Sequence, residues 1–128
     1  CRAAARITGP LLWRDMRSGD QVCRPEELGD VILGRKDCAA SYHIAVVVDD
    51  AAQGVTHVSR GEDLFPVTGI HRTLQALLGL PVPQWYHHRL VKDASGKRLA
   101  KRDRSLSLQE MRAAGMRPED VFRLMRES

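Results

Sequence analysis

Between Ser41 and Lys92 the hydrophobic pattern changes period repeatedly, with a chain breaker at each change, and this alternation constrains the fold more than any other feature. Ile44, Val47, Val48 and Ala51 recur at helical spacing until Gly54 stops the run, and Ser41 stands where an N-cap belongs. This predicts a helix over 42–53. A strand over 44–48 is the competing reading, because consecutive valines suit a sheet. Val55-Thr56-His57-Val58-Ser59 then alternates as a short strand and delivers Arg60-Gly61-Glu62-Asp63 at its carboxyl end. Ile70, Leu74, Leu77 and Leu78 mark an amphipathic helix that Gly79, Pro81 and Pro83 terminate. A strand over 85–92 follows. Alternating strands and helices predict an α/β fold, in which ligands lie beyond the carboxyl ends of the strands.

The flanking segments are shorter. Residues 1–6 read as the tail of a helix broken at Gly9-Pro10, and Leu11–Asp15 as an extended edge piece before a turn at Ser18-Gly19-Asp20. Pro25-Glu26-Glu27 starts a helical turn, and Asp30–Arg35, rich in branched residues, is expected to form a buried strand. Beyond residue 92, Ser105 or Ser107 caps a helix running to Ala114. Pro118 at a first helical position opens a last helix with Val121, Leu124 and Met125.

With 128 residues, 43% of them hydrophobic and 28% charged, the chain has the composition of one soluble domain, and no apolar run approaches the roughly 20 residues of a membrane span. Residues 1–6 carry no apolar signal core, so a cytoplasmic location is the expectation. The absence of an initiating Met suggests a start partway through a longer protein. A net charge of +4 favours an anionic partner such as RNA or a nucleotide, although a charge of this size also serves solubility alone. Cys1, Cys23 and Cys38 are too widely spaced for a self-contained zinc site, and Cys23 and Cys38 read as reduced, half-buried thiols. No metal site is expected in this chain.

Three residues stand out for chemistry. Tyr42 opens the first helix, Arg60 follows eighteen residues later at a strand end, and Lys101 lies in the basic loop Gly96-Lys97-Arg98-Leu99-Ala100-Lys101-Arg102. Six Lys/Arg between Lys92 and Arg104 face only Asp93 and Asp103. Such a loop can hold polyanions, although alone it is more often a solvated hairpin. An arginine at the mouth of a sheet can clamp a carboxylate bidentately, a phenol can bond the same ligand, and a lysine on a loop can follow a phosphate. The trio suits attack of an acidic amino acid's carboxylate on an α-phosphoryl group, where catalysis is mostly positioning and charge neutralisation. The plainer alternatives are an aromatic covering the core for Tyr42 and a surface ion pair with Asp49 or Asp50 for Arg60. His87 and His88 share no metal spacing with a cysteine and read as structural or RNA-facing. Glu62 and Asp63 could orient ribose or Mg2+, or form a solvated turn.

Ser41–Asp50, Gly54–Asp63 and the 96–102 loop together resemble the catalytic core of the class I glutamyl-tRNA synthetase family, over about residues 11–126. Within it they most resemble the truncated glutamyl-Q tRNA(Asp) branch, which activates glutamate with ATP and attaches it to queuosine of tRNA(Asp). The resemblance implies the second half of a Rossmann-like catalytic domain over 1–92, holding glutamate, followed by a KMSKS-type loop and a small helical segment over 93–128. It implies that Tyr42 and Arg60 contact glutamate, and that Lys101 is catalytic at the ATP phosphates. Arg98, Leu99, Ala100, Lys101 and Arg102 would form the ATP loop, and Leu90 and Val91 would meet the adenine through their backbone.

Ala100 stands where the family usually has Ser, removing a hydroxyl from the loop. The family's HIGH-type motif and zinc segment lie upstream of the matched region. The resemblance thus implies ATP and Mg2+ as requirements of a monomeric enzyme with glutamate and tRNA(Asp) as partners, and an isolated 128-residue chain inactive in adenylation. The same region of a full glutamyl-tRNA synthetase, and a non-catalytic RNA- or nucleotide-binding module derived from a synthetase, are the alternatives.

Overall fold

Alternation of side-chain direction along an extended chain decides the central layer. Leu11, Trp13 and Asp15 point inward while Leu12 and Arg14 face out, and Trp85 and His87 are buried between exposed Gln84, Tyr86 and His88. The computed structural model describes residues 1–37, 39–91 and 107–127. These form α1 (Arg2–Thr8), β1 (Leu11–Asp15), β2 (Gly19–Cys23), α2 (Tyr42–Ala52), β3 (His57–Gly61), α3 (Thr68–Leu78), β4 (Gln84–His88), α4 (Leu108–Ala113) and α5 (Pro118–Glu127). Short 3-10 turns cover Pro25–Leu28 and Glu62–Leu64. The chain divides into two units, Cys1–His88 and Arg89–Ser128.

The first unit is a four-stranded sheet in the order β2-β1-β4-β3. β1 and β2 form an antiparallel hairpin, whereas β1 with β4 and β3 with β4 are parallel. The mixed α/β architecture is the expected one. β1, however, is an internal strand and not an edge, because β2 pairs on one side and β4 on the other. The strand after Gly54 runs two residues further than its valines suggest, so Arg60 lies within β3, directly opposite His87 of β4. β4 ends at His88, which leaves Leu90 and Val91 beyond the strand.

Asp30–Arg35 is not a buried strand. The segment is irregular, Ile32 is 68% exposed, and no strand pairs with it. Branched residues favour extended backbone, but a strand also needs a neighbour's hydrogen bonds, and this segment lies outside the four-stranded sheet of the described residues.

The core of this unit is Leu11, Trp13, Cys23 and Trp85, with Leu28, Val58, Phe65 and Ala76 packed on it. Trp13 meets Trp85 edge-on at 5.6 Å between ring centroids and Phe65 at 5.1 Å, geometries that aromatic quadrupoles favour. α2 is the expected helix despite its valines, and it packs on α3. Val47 is the residue it buries. Ser41 holds the extended N-cap backbone but makes no side-chain cap bond.

α3 ends as its sequence implies, with Gly79 in the left-handed conformation at φ 65°. Its buried face is unexpected: Leu77 and Leu78 are exposed, while Thr68, Gly69, His71, Thr73 and Gln75 are buried along with Leu74. Of this polar stripe Thr68 and His71 meet Arg60, whereas Thr73 bonds the Gly69 carbonyl of its own helix and Gln75 Oε1 has no partner among the described residues.

In the second unit, α4 begins with a capping box in which the Ser107 hydroxyl and the Glu110 backbone N–H, and the Glu110 carboxylate and the Ser107 N–H, bond reciprocally. Those bonds hold the Glu110 carboxyl below its usual pKa. Pro118 opens α5, with Glu119 and Asp120 in its first turn and Arg126 in its last, matching the helix dipole.

Gly69 packs tightly against Cys23 of β2 and Leu28. A Cβ there would stand 2.9 Å from Cys23 Sγ and 3.1 Å from Leu28 Cδ2. Gly69→Ala is therefore expected to lower stability by about 1–3 kcal/mol through overpacking, read as a fall in the urea midpoint. An unchanged midpoint would show that α3 can move away from β2.

Candidate functional site

At the carboxyl ends of β1, β4 and β3 a chain of polar side chains crosses the sheet. Asp15, wholly buried at the end of β1, is its root. The Asp15 carboxylate accepts the Arg17 and Ser18 amides at 3.0 and 2.8 Å, which closes the β1–β2 turn. It also receives the His87 amide at 3.2 Å, and His87 Nδ1 lies 2.6 Å from Asp15 Oδ2. Burial works to raise the Asp15 pKa, yet the His87 ring and these amides together hold it below the usual carboxylate value. On the far side of the imidazole, His87 Nε2 accepts the Arg60 Nε–H at 3.0 Å.

Arg60 is the centre of the cluster. Its Nη2 donates to the Thr68 hydroxyl at 2.6 Å and to the Leu64 carbonyl at 3.4 Å, and its Nη1 lies 3.0 Å from His71 Nδ1. His71 Nε2 in turn lies 3.1 Å from His43 Nδ1. Tyr42 stacks edge-on against both His43 and His71, with centroids at 5.6 and 5.7 Å, and its phenol acts electrostatically on Arg60. The two residues singled out from the sequence, Tyr42 and Arg60, thus converge. The Tyr42 ring is 51% exposed, so it borders an opening and does not cover the core.

The arrangement excludes the plainer alternative for Arg60 and narrows its expected carboxylate clamp. It is half-buried and forms no surface ion pair with Asp49 or Asp50; Asp50 and Asp63 act on it only through space. Nor is it a free fork. A guanidinium has five N–H groups, and His87, His71, Thr68 and Leu64 take four of them. Single-point contact, shared with Tyr42, is what remains for a carboxylate.

Every group that Arg60 donates to directly among the described residues is uncharged. Burial consequently pushes its pKa below the usual arginine value, opposed by Tyr42, Asp50 and Asp63. A cation held this way is a receptor for an anion. His87 and His71 pay no charge into the cluster, since burial, abetted by Arg60, lowers both pKa values, that of His71 to about 3.

Other candidates fall elsewhere. Glu62 pairs with Arg17 at 3.1 Å, as part of a turn. Leu90 and Val91 belong to the second unit. Arg98, Leu99, Ala100, Lys101 and Arg102 lie outside the described residues, as does Cys38. Cys23 is a free, buried thiol whose pKa burial raises. Among the described residues no three His, Cys, Asp or Glu side chains group to hold a metal, and no helix is long and apolar enough to cross a membrane. Asp15, His43 and His71 were missed by motif spacing. Asp15 had a readable signal, an acid at the third inward position of an otherwise apolar strand face.

Residues 1–127 match the family model of class I tRNA synthetases (E and Q), catalytic domain. The chain belongs to this family. It is 53% identical over 120 residues to a glutamyl-Q tRNA(Asp) synthetase of Rhodobacter capsulatus, covering 92% of this chain and 42% of that protein. It is 34% identical over 124 residues to a glutamate–tRNA ligase 2 of a Nitratiruptor species, covering 97% of this chain and 27% of that protein. The chain therefore spans less than half the length of these curated relatives. A crystal structure of a glutamate–tRNA synthetase from Elizabethkingia anophelis superposes with a TM-score of 0.63 at 30% identity, over 73% of this chain and 19% of that one. In open α/β sheets generally, ligands lie in the crevice beyond the carboxyl ends of the strands.

The depressed His71 pKa makes stability depend on pH. Unfolded, His71 takes a proton near its ordinary 6.5, whereas folded it resists until about 3, so acidification favours the unfolded chain across that window. Lowering the pH from 7.5 to 5.5 should cost about 1.4 kcal/mol through His71, with His87 adding in the same direction. Urea titrations at the two pH values measure the loss, and His71→Gln should shrink it. Equal pH sensitivity in the variant would contradict a neutral, buried His71.

Proposed function

We propose that this chain supplies the glutamate-recognising part of an ATP-dependent ligase that charges queuosine of tRNA(Asp). Support comes chiefly from one observation: a half-buried guanidinium at the strand ends, bonded among the described residues to uncharged partners and bordered by the Tyr42 phenol. A site of that kind takes a carboxylate on a small ligand. Arg60 supplies charge and its one remaining N–H, and the Tyr42 hydroxyl beside it has a proton to donate to the same carboxylate.

With glutamate so held, an oxygen of its α-carboxylate attacks the α-phosphorus of ATP and pyrophosphate leaves. A nucleoside hydroxyl then attacks the acyl carbon of the adenylate and AMP leaves. Lys101, with Arg98 and Arg102 beside it, is proposed to neutralise the charge developing on the ATP phosphates. Leu99 and Ala100 shape that loop, and Leu90 and Val91 are proposed to border the adenine. Mg2+ would arrive with ATP and screen its phosphates. Among the described residues no three His, Cys, Asp or Glu side chains group to hold it. The whole reaction is proposed for the longer polypeptide that the relatives' lengths imply, acting in the cytoplasm as a monomer. Queuosine is preferred over the tRNA acceptor end as the site of attachment because the glutamyl-Q tRNA(Asp) relatives are 42–53% identical, against 34–40% for the glutamate–tRNA ligases.

Arg60→Ala in the complete synthetase is expected to reduce glutamate-dependent pyrophosphate exchange about 100-fold, the scale of a lost bond to a charged group, while tRNA affinity persists. Tyr42→Phe should raise KM for glutamate about tenfold. Exchange that survives Arg60→Ala would refute the glutamate site. Glutamyl transfer to tRNA(Asp) should require queuosine, and equal transfer to tRNA lacking it would favour the full glutamyl-tRNA synthetase reading.

A further inference from the structure

The cluster around Arg60 contains two imidazoles whose proton positions follow from geometry alone. Arg60 only donates, because a guanidinium keeps its protons in proteins. His87 Nε2 faces Arg60 Nε at 3.0 Å, so Nε2 carries a lone pair and the ring's proton sits on Nδ1, where Asp15 Oδ2 accepts it at 2.6 Å. His71 is the reverse. Its Nδ1 faces Arg60 Nη1 at 3.0 Å and carries the lone pair, so its proton sits on Nε2 and points to His43 Nδ1 at 3.1 Å. The same guanidinium thus demands opposite tautomers of its two histidine partners.

Each tautomer has its own support. His87 has a buried carboxylate, itself fixed by the Arg17 and Ser18 amides. His71 has His43 one helix away on α2, in the residue next to Tyr42. Had either ring taken the other tautomer, an N–H would face an N–H at about 3 Å, and Arg60 would be driven from its place.

Resting on the reading of Arg60 as the carboxylate-binding residue, we propose that His87 and His71 are positioning residues for glutamate. They orient the Arg60 guanidinium through neutral acceptors, and Asp15 locks the His87 ring in the tautomer this requires. Neutral acceptors suit the task better than carboxylates, which would hold the arginine equally firmly but cancel the charge meant for the ligand. Asp15 acts on recognition through His87 without touching the ligand, as a carboxylate sets the ring orientation of a histidine in other preorganised sites.

Two measurements test this. In the 128-residue chain, nitrogen-15 NMR of the imidazoles should show His87 as the Nδ1–H form and His71 as the Nε2–H form, and Asp15→Asn should move His87 toward Nε2–H. The same tautomer in both rings would overturn the proposal. In the complete synthetase, His87→Leu and Asp15→Asn should raise KM for glutamate about tenfold or more with KM for ATP unchanged, and His87→Gln, whose amide oxygen can accept from Arg60, should recover most of the loss. A parallel rise in both KM values, or failure of His87→Gln to differ from His87→Leu, would make His87 merely structural and overturn the proposal. If His87→Leu does not fold, the wild-type tautomers and His87→Gln still decide. An unaltered glutamate KM in Arg60→Ala would instead refute the underlying glutamate reading, whatever the tautomers.

Discussion

The first unit depends on a buried carboxylate that serves two ends at once. Asp15 closes the β1–β2 turn through two backbone amides and ties β1 to β4 through the His87 amide and ring. A lone carboxylate out of contact with water would be costly, and four donors make this one tenable. Because one of those donors is an imidazole whose other nitrogen accepts from Arg60, the device that closes a hairpin also orients a guanidinium on β3. Fold and candidate site share the same hydrogen bonds.

Strand register makes that sharing possible. β3 and β4 pair in parallel with Arg60 opposite His87, so the two side chains stand on one face of the sheet. β1 joins β4 with Asp15 opposite Trp85, which brings the Asp15 carboxylate to the next inward residue of β4. A slip of one residue in either pairing would send Arg60 or His87 to the other face and separate them. α3 then covers the row with the polar stripe Thr68, His71 and Gln75, of which Thr68 and His71 bond Arg60. The helix's apolar flank, Leu77 and Leu78, is left exposed as a result.

Much of the architecture was legible in the residues. The periods and breakers of residues 41–88 placed α2, β3, α3 and β4 in order, because helix and strand periodicity are local and Gly and Pro act locally. Ser107 and Pro118 marked the starts of α4 and α5 for the same reason. Asp30–Arg35 shows the limit: its branched residues prefer extended backbone, but it pairs with no strand among the described residues, and preference alone does not make a strand. The buried face of α3 was misjudged because hydrophobic spacing names the apolar side, whereas the side facing the sheet carries Thr68 and His71, which meet Arg60.

The sequence by itself determined the α/β alternation, the family to which the chain belongs, and the pairing of a helix-opening tyrosine with a strand-end arginine eighteen residues on. All are carried by short-range pattern or by matched residues. Only the tertiary structure decided that Arg60 is held by uncharged partners, that His87 and His71 face it with opposite nitrogens, and that Asp15, far away in sequence, stands behind one of them. Those facts arise from strand register and helix packing, which bring together residues 15, 60, 71 and 87, and no local pattern encodes a contact across such separations.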